Sequence, residues 1–114
     1  MDTDQKVLIV EGKTDKKQVE KILKEDVTIL CTYGTFSLER FDELIETYDL
    51  DNRQVYILVD EDDAGLKLRK EIIRELPHGI HLHVDEDYGE VAETPEPILA
   101  TLFARYNFQI DSFY

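Results

Sequence analysis

A chain of 114 residues with 42% hydrophobic and 34% charged side chains is sized for a single domain over residues 1–114, with its own core. No apolar run approaches a membrane span, and the acidic start Met1-Asp2-Thr3-Asp4 lacks the basic beginning of a secretory signal, so a cytoplasmic protein with no membrane partner is expected. The single cysteine, Cys31, excludes an internal disulfide and a cysteine-built zinc site and is expected in the core, and the net charge of −13 excludes a uniformly basic nucleic-acid surface.

The first apolar run, Lys6-Val7-Leu8-Ile9-Val10, is short and β-branched, which predicts a buried strand ending at Glu11-Gly12. Asp15 with Gln18 three residues later offers a capping box for a helix whose apolar stripe is Val19, Ile22 and Leu23. Lys13, Lys17, Lys21 and Lys24 then share another face of that helix. Val27-Thr28-Ile29-Leu30-Cys31 repeats the strand pattern, and Thr32-Tyr33-Gly34-Thr35 reads as a turn. Leu38, Phe41, Leu44, Ile45 and Tyr48 recur at helical spacing after it.

Val55-Tyr56-Ile57-Leu58-Val59 is the most strand-like run and delivers the acidic tetrapeptide Val59-Asp60-Glu61-Asp62. The helix behind it buries Leu68, Ile72 and Leu76, carries Lys67, Lys70 and Arg74, and stops at Pro77-His78-Gly79. Ile80-His81-Leu82-His83-Val84 alternates as a half-exposed strand should and delivers a second copy, Val84-Asp85-Glu86-Asp87. Ten mostly polar residues precede Pro95 and Pro97, beyond which Ile98, Leu99, Leu102, Phe103 and Tyr106 predict a last helix. The tail from Asn107 to Tyr114 is read as a short strand or a loose end.

The βαβαβαβα order predicts an α/β fold, a four-stranded parallel sheet with helices on both faces. Ligands of such sheets bind beyond the carboxyl ends of the strands, where strand order reverses. Glu11, Asp60 and Asp62 all lie on that rim, and they converge if the first and third strands are neighbours. Converging carboxylates repel unless a cation neutralises them, and hard oxygen donors suit Mg²⁺ or Mn²⁺. Bound there, such an ion polarises a phosphodiester while a free carboxylate moves a proton. The second acidic tetrapeptide has no partner motif, so Asp85 and Asp87 are read as a solvated rim that biases the site electrostatically.

Val10-Glu11-Gly12-Lys13-Thr14-Asp15 and Val59-Asp60-Glu61-Asp62-Asp63-Ala64-Gly65 resemble the two defining motifs of the Toprim domain, found in topoisomerases, bacterial primases, nucleases and recombination proteins. Within it, Glu11-Gly12-Lys13 with Asp15, Thr32-x-Gly34, and the stretch from Gly89 to Leu99 are most similar to the ribonucleases that mature ribosomal RNA. The resemblance implies Glu11 as general acid/base and possible metal ligand, with Asp60 and Asp62 holding the divalent ion. Gly12 and Gly65 are expected to let the chain turn tightly beside the site. Asp15, Asp63 and Lys13 are accessory candidates, Asp15 and Asp63 being equally readable as helix caps. Lys17, Lys67 and Lys70 are the expected phosphate-backbone contacts.

The implied partner is nucleic acid, RNA ahead of DNA, cut in a Mg²⁺-dependent reaction. The chain is expected to lack the additional C-terminal segment of the maturases, which opens an alternative: a non-catalytic, nucleic-acid-associated module that keeps the metal site and takes specificity from a protein partner. Three other patterns carry less. His81 and His83, with His78 or Asp85, imitate a zinc site, but alternation alone places two polar residues on a strand's outer face. Phe103, Tyr106, Phe108, Phe113 and Tyr114 are read as core or dimer contacts before base-stacking groups. A response-regulator receiver shares the shape, yet needs an acidic pair after its first strand and a lysine after a fifth, and no lysine follows Lys70.

Overall fold

The structure, a computed structural model, describes residues 5–33 and 37–114, so Gly34 and Thr35 of the expected turn lie outside the described residues. In chain order the elements are β1 (Lys6–Val10), α1 (Lys13–Ile22), β2 (Val27–Cys31), α2 (Leu38–Tyr48), a 3₁₀ turn (Leu50–Asn52), β3 (Val55–Leu58), α3 (Asp63–Glu75), β4 (Ile80–Leu82) and α4 (Glu96–Arg105). The sheet is parallel throughout, in the order β2-β1-β3-β4. The chain leaves β1 to one side for β2 and returns to its other side for β3. The reversal of strand order therefore falls between β1 and β3, registered by Val7 opposite Val55 and Ile9 opposite Ile57.

Period-two alternation in β1 and β3 feeds two cores at once. Leu8, Val10, Tyr56 and Leu58 join Val19 and Ile22 of α1 and Leu99, Ala100 and Phe103 of α4 on one face. Val7, Ile9, Val55 and Ile57 join Phe41 of α2 and Leu68 and Ile72 of α3 on the other. Each inner strand is thus sealed on both sides, which is why its sequence is nearly continuous in apolar residues. Among the described residues no helix is long and apolar enough to cross a membrane.

Several local readings shift. α1 begins at Lys13, with Gly12 at its N-cap and Asp15 three residues on, whose Oδ2 accepts from the Gly12 N–H at 3.2 Å. The cap pairs Asp15 with Gly12 rather than with Gln18, whose side-chain amide instead donates to the Thr94 carbonyl at 2.9 Å. β4 ends at Leu82, two residues short of the run that alternates. Its two histidines part company: His81 is half-buried and within 3.1 Å of Arg69 Nη1 of α3, while His83, just beyond the strand, is exposed. Cys31 is half-buried and packs against the α1/α4 core. The tail adds one antiparallel bridge, Leu23 to Ile110, and no strand.

Candidate functional site

The carboxyl ends of β1 and β3 place Glu11 directly beside Asp60. Glu11 Oε1 accepts from the Asp60 N–H at 2.8 Å, and Asp60 Oδ1 accepts from the Val91 N–H at 2.8 Å. Asp62 is the N-cap of α3, its Oδ1 accepting from the Gly65 N–H at 2.7 Å. Asp63, read above as a possible cap, instead occupies the exposed first turn of the helix, where its charge faces the positive end of the dipole. Each of Glu11, Asp60 and Asp62 therefore has one oxygen fixed by a backbone amide, while its second oxygen meets no protein donor among the described residues.

The electrostatics follow from that crowding. Burial pushes the Glu11 carboxyl above its ordinary value, against the Asp60 N–H and with the help of negative charge on Asp60, Asp62 and Asp15. Asp60 is raised by burial and by Asp62 and Glu61, with the Val91 amide opposing. Asp15 is raised by burial first and then by the charge of Asp60, with Glu90 adding to it. Among the described residues no three His, Cys, Asp or Glu side chains are already gathered as a metal cage. The expected convergence is built as one hydrogen-bonded pair, Glu11 with Asp60, and a third carboxylate in electrostatic reach but turned to its helix.

That donor set nevertheless fits a hard divalent cation. Its oxygens are carboxylate, its charge is uncompensated, and Mg²⁺ commonly takes one or two carboxylates and keeps several waters.

The two glycines differ. A Cβ on Gly65 would lie 1.9 Å from the Asp60 carbonyl oxygen, so a bare backbone is what lets the first turn of α3 seat against the end of β3. Gly65 works by close approach inside a helix, not at a turn. Gly12 is extended, with φ −145°, and a Cβ there meets nothing within 4 Å, so neither a tight turn nor lack of space requires glycine.

Lys13, Lys17, Lys67 and Lys70 are all exposed on the first two turns of α1 and α3, the helices that rise from this rim. Lys21, in the last turn of α1, and Lys24, just beyond its end, reach Glu96 at 3.9 Å and Asp111 at 3.2 Å. Asp85 and Asp87 are exposed, as a solvated rim should be, but the chain beyond them straps back over the site. Gly89 O accepts from the Glu61 N–H at 2.6 Å and Val91 N–H holds Asp60.

Glu61, between the two aspartates, also has a role that its place in the motif does not reveal. Its Oε1 accepts from buried Arg69 Nη2 at 2.7 Å and lies 2.8 Å from His83 Nδ1. His78 is elsewhere, its Nε2 near the carbonyls of Leu50 and Arg53. One signal pointed to Arg69: it falls on the same helical stripe as Gly65, Leu68, Ile72 and Leu76, and a charge on an apolar stripe implies a buried partner.

A doubly wound parallel sheet carrying Glu at the end of β1 and Asp-x-Asp at the end of β3, across the reversal of strand order, defines a class of acidic-rim α/β domains. The Toprim domain matches residues 6–86, and the chain belongs to that family. It is 47% identical over 115 residues to the uncharacterized protein YusF of Bacillus subtilis, across 100% of this chain and 77% of that one. A solved small TOPRIM domain protein from Bacillus stearothermophilus superposes with TM-score 0.88 at 42% identity, covering 95% of this chain and 90% of its own. Ribonuclease M5 of Mycoplasma mycoides is 34% identical over 73 residues, or 64% of this chain, and that of Ligilactobacillus salivarius is 34% identical over 71. The matched region spans 41% and 37% of those two ribonucleases.

Proposed function

We propose that this protein is a Mg²⁺-dependent nuclease of structured RNA, with Asp60 and Asp62 holding the ion, Glu11 beside it moving the proton, and the whole of residues 1–114 acting as one domain. The observation that carries the reading is the Glu11–Asp60 contact across the β1/β3 reversal, with the unpartnered oxygens of both carboxylates. The similarity to ribonuclease M5 supports RNA as the substrate class. Bound at the Asp60 and Asp62 oxygens, a divalent ion supplies Lewis-acid polarisation of a phosphodiester.

Everything else is the chain's own work. Glu11, its carboxyl raised by burial, is poised nearer to neutral pH than an ordinary glutamate and can take or return a proton at its free oxygen. The Asp60 amide fixes that carboxylate's other oxygen, so the free one has a defined direction. Lys13 and Lys17 on α1, and Lys67 and Lys70 on α3, hold the phosphate backbone along the rim while Asp15 keeps the start of α1 in place.

A second reading, a non-catalytic module completed by a protein partner, is favoured by one observation: the match spans only 41% of the Mycoplasma mycoides ribonuclease. Cleavage of structured RNA and single-stranded DNA with Mg²⁺ or Mn²⁺ separates the two, run beside Glu11→Gln and Asp60→Asn. RNA cutting by the wild type, reduced at least about a hundredfold in both variants, is the expected result. Protein that binds the ion and cuts nothing overturns the nuclease in favour of the module.

A further inference from the structure

Beyond the last paired residues of β3 and β4, Leu58 opposite Leu82, the two strands offer carbonyls that the ladder no longer uses. One side chain collects them. Arg69, on the buried stripe of α3 and only 4% exposed, donates from Nη2 to Val59 O at 3.1 Å and to Leu82 O at 2.7 Å. The same Nη2 reaches Glu61 Oε1 at 2.7 Å, and Nη1 lies 3.1 Å from His81 Nδ1. Arginine has no acceptor to offer, so His81 Nδ1 takes this bond as an acceptor.

The residue between two of these contacts is Asp60. Its predecessor is held through the Val59 carbonyl and its successor through the Glu61 carboxylate, both by one guanidinium. Leu82 O anchors that guanidinium to the neighbouring strand. On the far side, Asp60's own amide donates to Glu11 Oε1 and its Oδ1 accepts from the Val91 amide. The backbone of Asp60 is therefore gripped from α3 and β4 while its carboxylate is left to face the rim. Three of the four acceptors meet at Nη2 and the fourth, His81, at Nη1. A lysine, whose ammonium ends one bond short of Nη2 and has no second nitrogen, loses the His81 contact and the reach to the three oxygens.

We infer that Arg69 is the positioning residue of the acidic site: by bridging Val59 O, Leu82 O and Glu61 it fixes the Asp60 carboxylate for a divalent cation, with Glu61 serving as its counter-charge rather than as a ligand. The inference rests on the reading of Asp60 as a metal ligand, and two measurements keep the two claims apart.

The first is amide hydrogen exchange in Arg69→Lys without metal, under conditions where the variant is folded. Exchange at Asp60 and Glu61 should accelerate by about tenfold or more, with Leu8 and Ile9 in β1 unchanged. The second is Mn²⁺ titration of wild type, Arg69→Lys and Ile72→Val, a core variant on the same helix used under conditions that match the drop in melting temperature. The dissociation constant should rise by about tenfold or more in Arg69→Lys and hold in Ile72→Val, as expected when a group that orients a ligand is removed. Wild-type exchange at Asp60 and Glu61 in Arg69→Lys, acceleration shared with β1, or equal weakening of Mn²⁺ binding in both variants overturns the inference. Failure of the wild type to bind Mn²⁺ overturns the metal reading instead, and exchange alone then decides whether Arg69 fixes Asp60.

Discussion

Asp60 is held through its amide by Glu11 and through Oδ1 by the Val91 amide, and it is held at a cost. Glu11, Asp15 and Asp60 all have carboxyls raised above their ordinary values by burial first and then by neighbouring carboxylates. A carboxyl raised in the folded state binds protons more tightly there than in the unfolded chain. Its contribution to stability is full below the unfolded value and is lost as pH rises through the raised one. At pH 7 the metal-free site therefore weighs against the fold. Asp60→Asn removes one of the repelling charges and keeps an oxygen for the Val91 amide. It should raise the metal-free melting temperature at pH 7 by a few degrees, and the gain should shrink as pH falls through the raised Asp60 value and the native carboxyl takes up its proton. Thermal unfolding over that pH range checks this, and a variant less stable than wild type at pH 7 contradicts it. Adding Mg²⁺ should reverse the order at neutral pH, because only the wild type gains from binding.

At the scale of elements, α1 and α3 each start from the acidic rim and carry exposed lysines in their first turns, so one pair of helices brings both the anionic site and the cations flanking it. Alanine at Lys67 and Lys70 together should weaken RNA binding and flatten its dependence on log salt concentration, by roughly 0.7 for each phosphate left unneutralised on a single strand. Fluorescence anisotropy over a salt series measures both, and an unchanged slope removes these two lysines from the interface. The sequence made the elements legible because β-branched apolar runs and helical stripes are local signals, read correctly even where a boundary moved by three residues, as when the N-cap of α1 falls at Gly12 and not Asp15. It also placed Glu11, Asp60 and Asp62 together on one rim, at the reversal of strand order, which is where they lie. Side-chain direction was not legible: Asp62 was read as holding the ion and not as a helix cap, whereas capping α3 occupies one of its oxygens. Nor was the strap, since Gly89 O and Val91 N–H act through backbone groups that every residue possesses. His83 is exposed as alternation implies, but His81 is half-buried against Arg69, because alternation gives the face of a strand and not what packs upon it.

On the scale of the whole molecule, the aromatic C-terminus belongs to the fold more than to the site. Phe108 is buried between Tyr56 of β3 and Phe103 of α4, at ring-centroid distances of 4.7 and 5.3 Å, with Lys6 Nζ over its ring at 4.9 Å. The residues after it tie down the end of α1: Lys24 N–H donates to Gln109 O at 2.8 Å, and Asp111 N–H to Ile22 O at 2.8 Å. α1 is also the element that carries Lys13 and Asp15 to the rim. The tail thus fixes, from the opposite end, a helix whose start lines the site, and it does so through one aromatic anchor and a few backbone bonds. Phe108→Ala should cost about 3 to 4 kcal/mol, because little nearby can collapse into the space left between two strands' worth of core and α4. Phe113, 86% exposed, should change stability by less than about 0.5 kcal/mol when replaced in the same way. Denaturant unfolding of both variants measures the difference. Because the site is built on β1, β3 and α3, the folded fraction of Phe108→Ala should bind Mn²⁺ as the wild type does. A fall in affinity in protein that is still folded would mean that the end of α1, and not only its first turn, sets the geometry at Glu11.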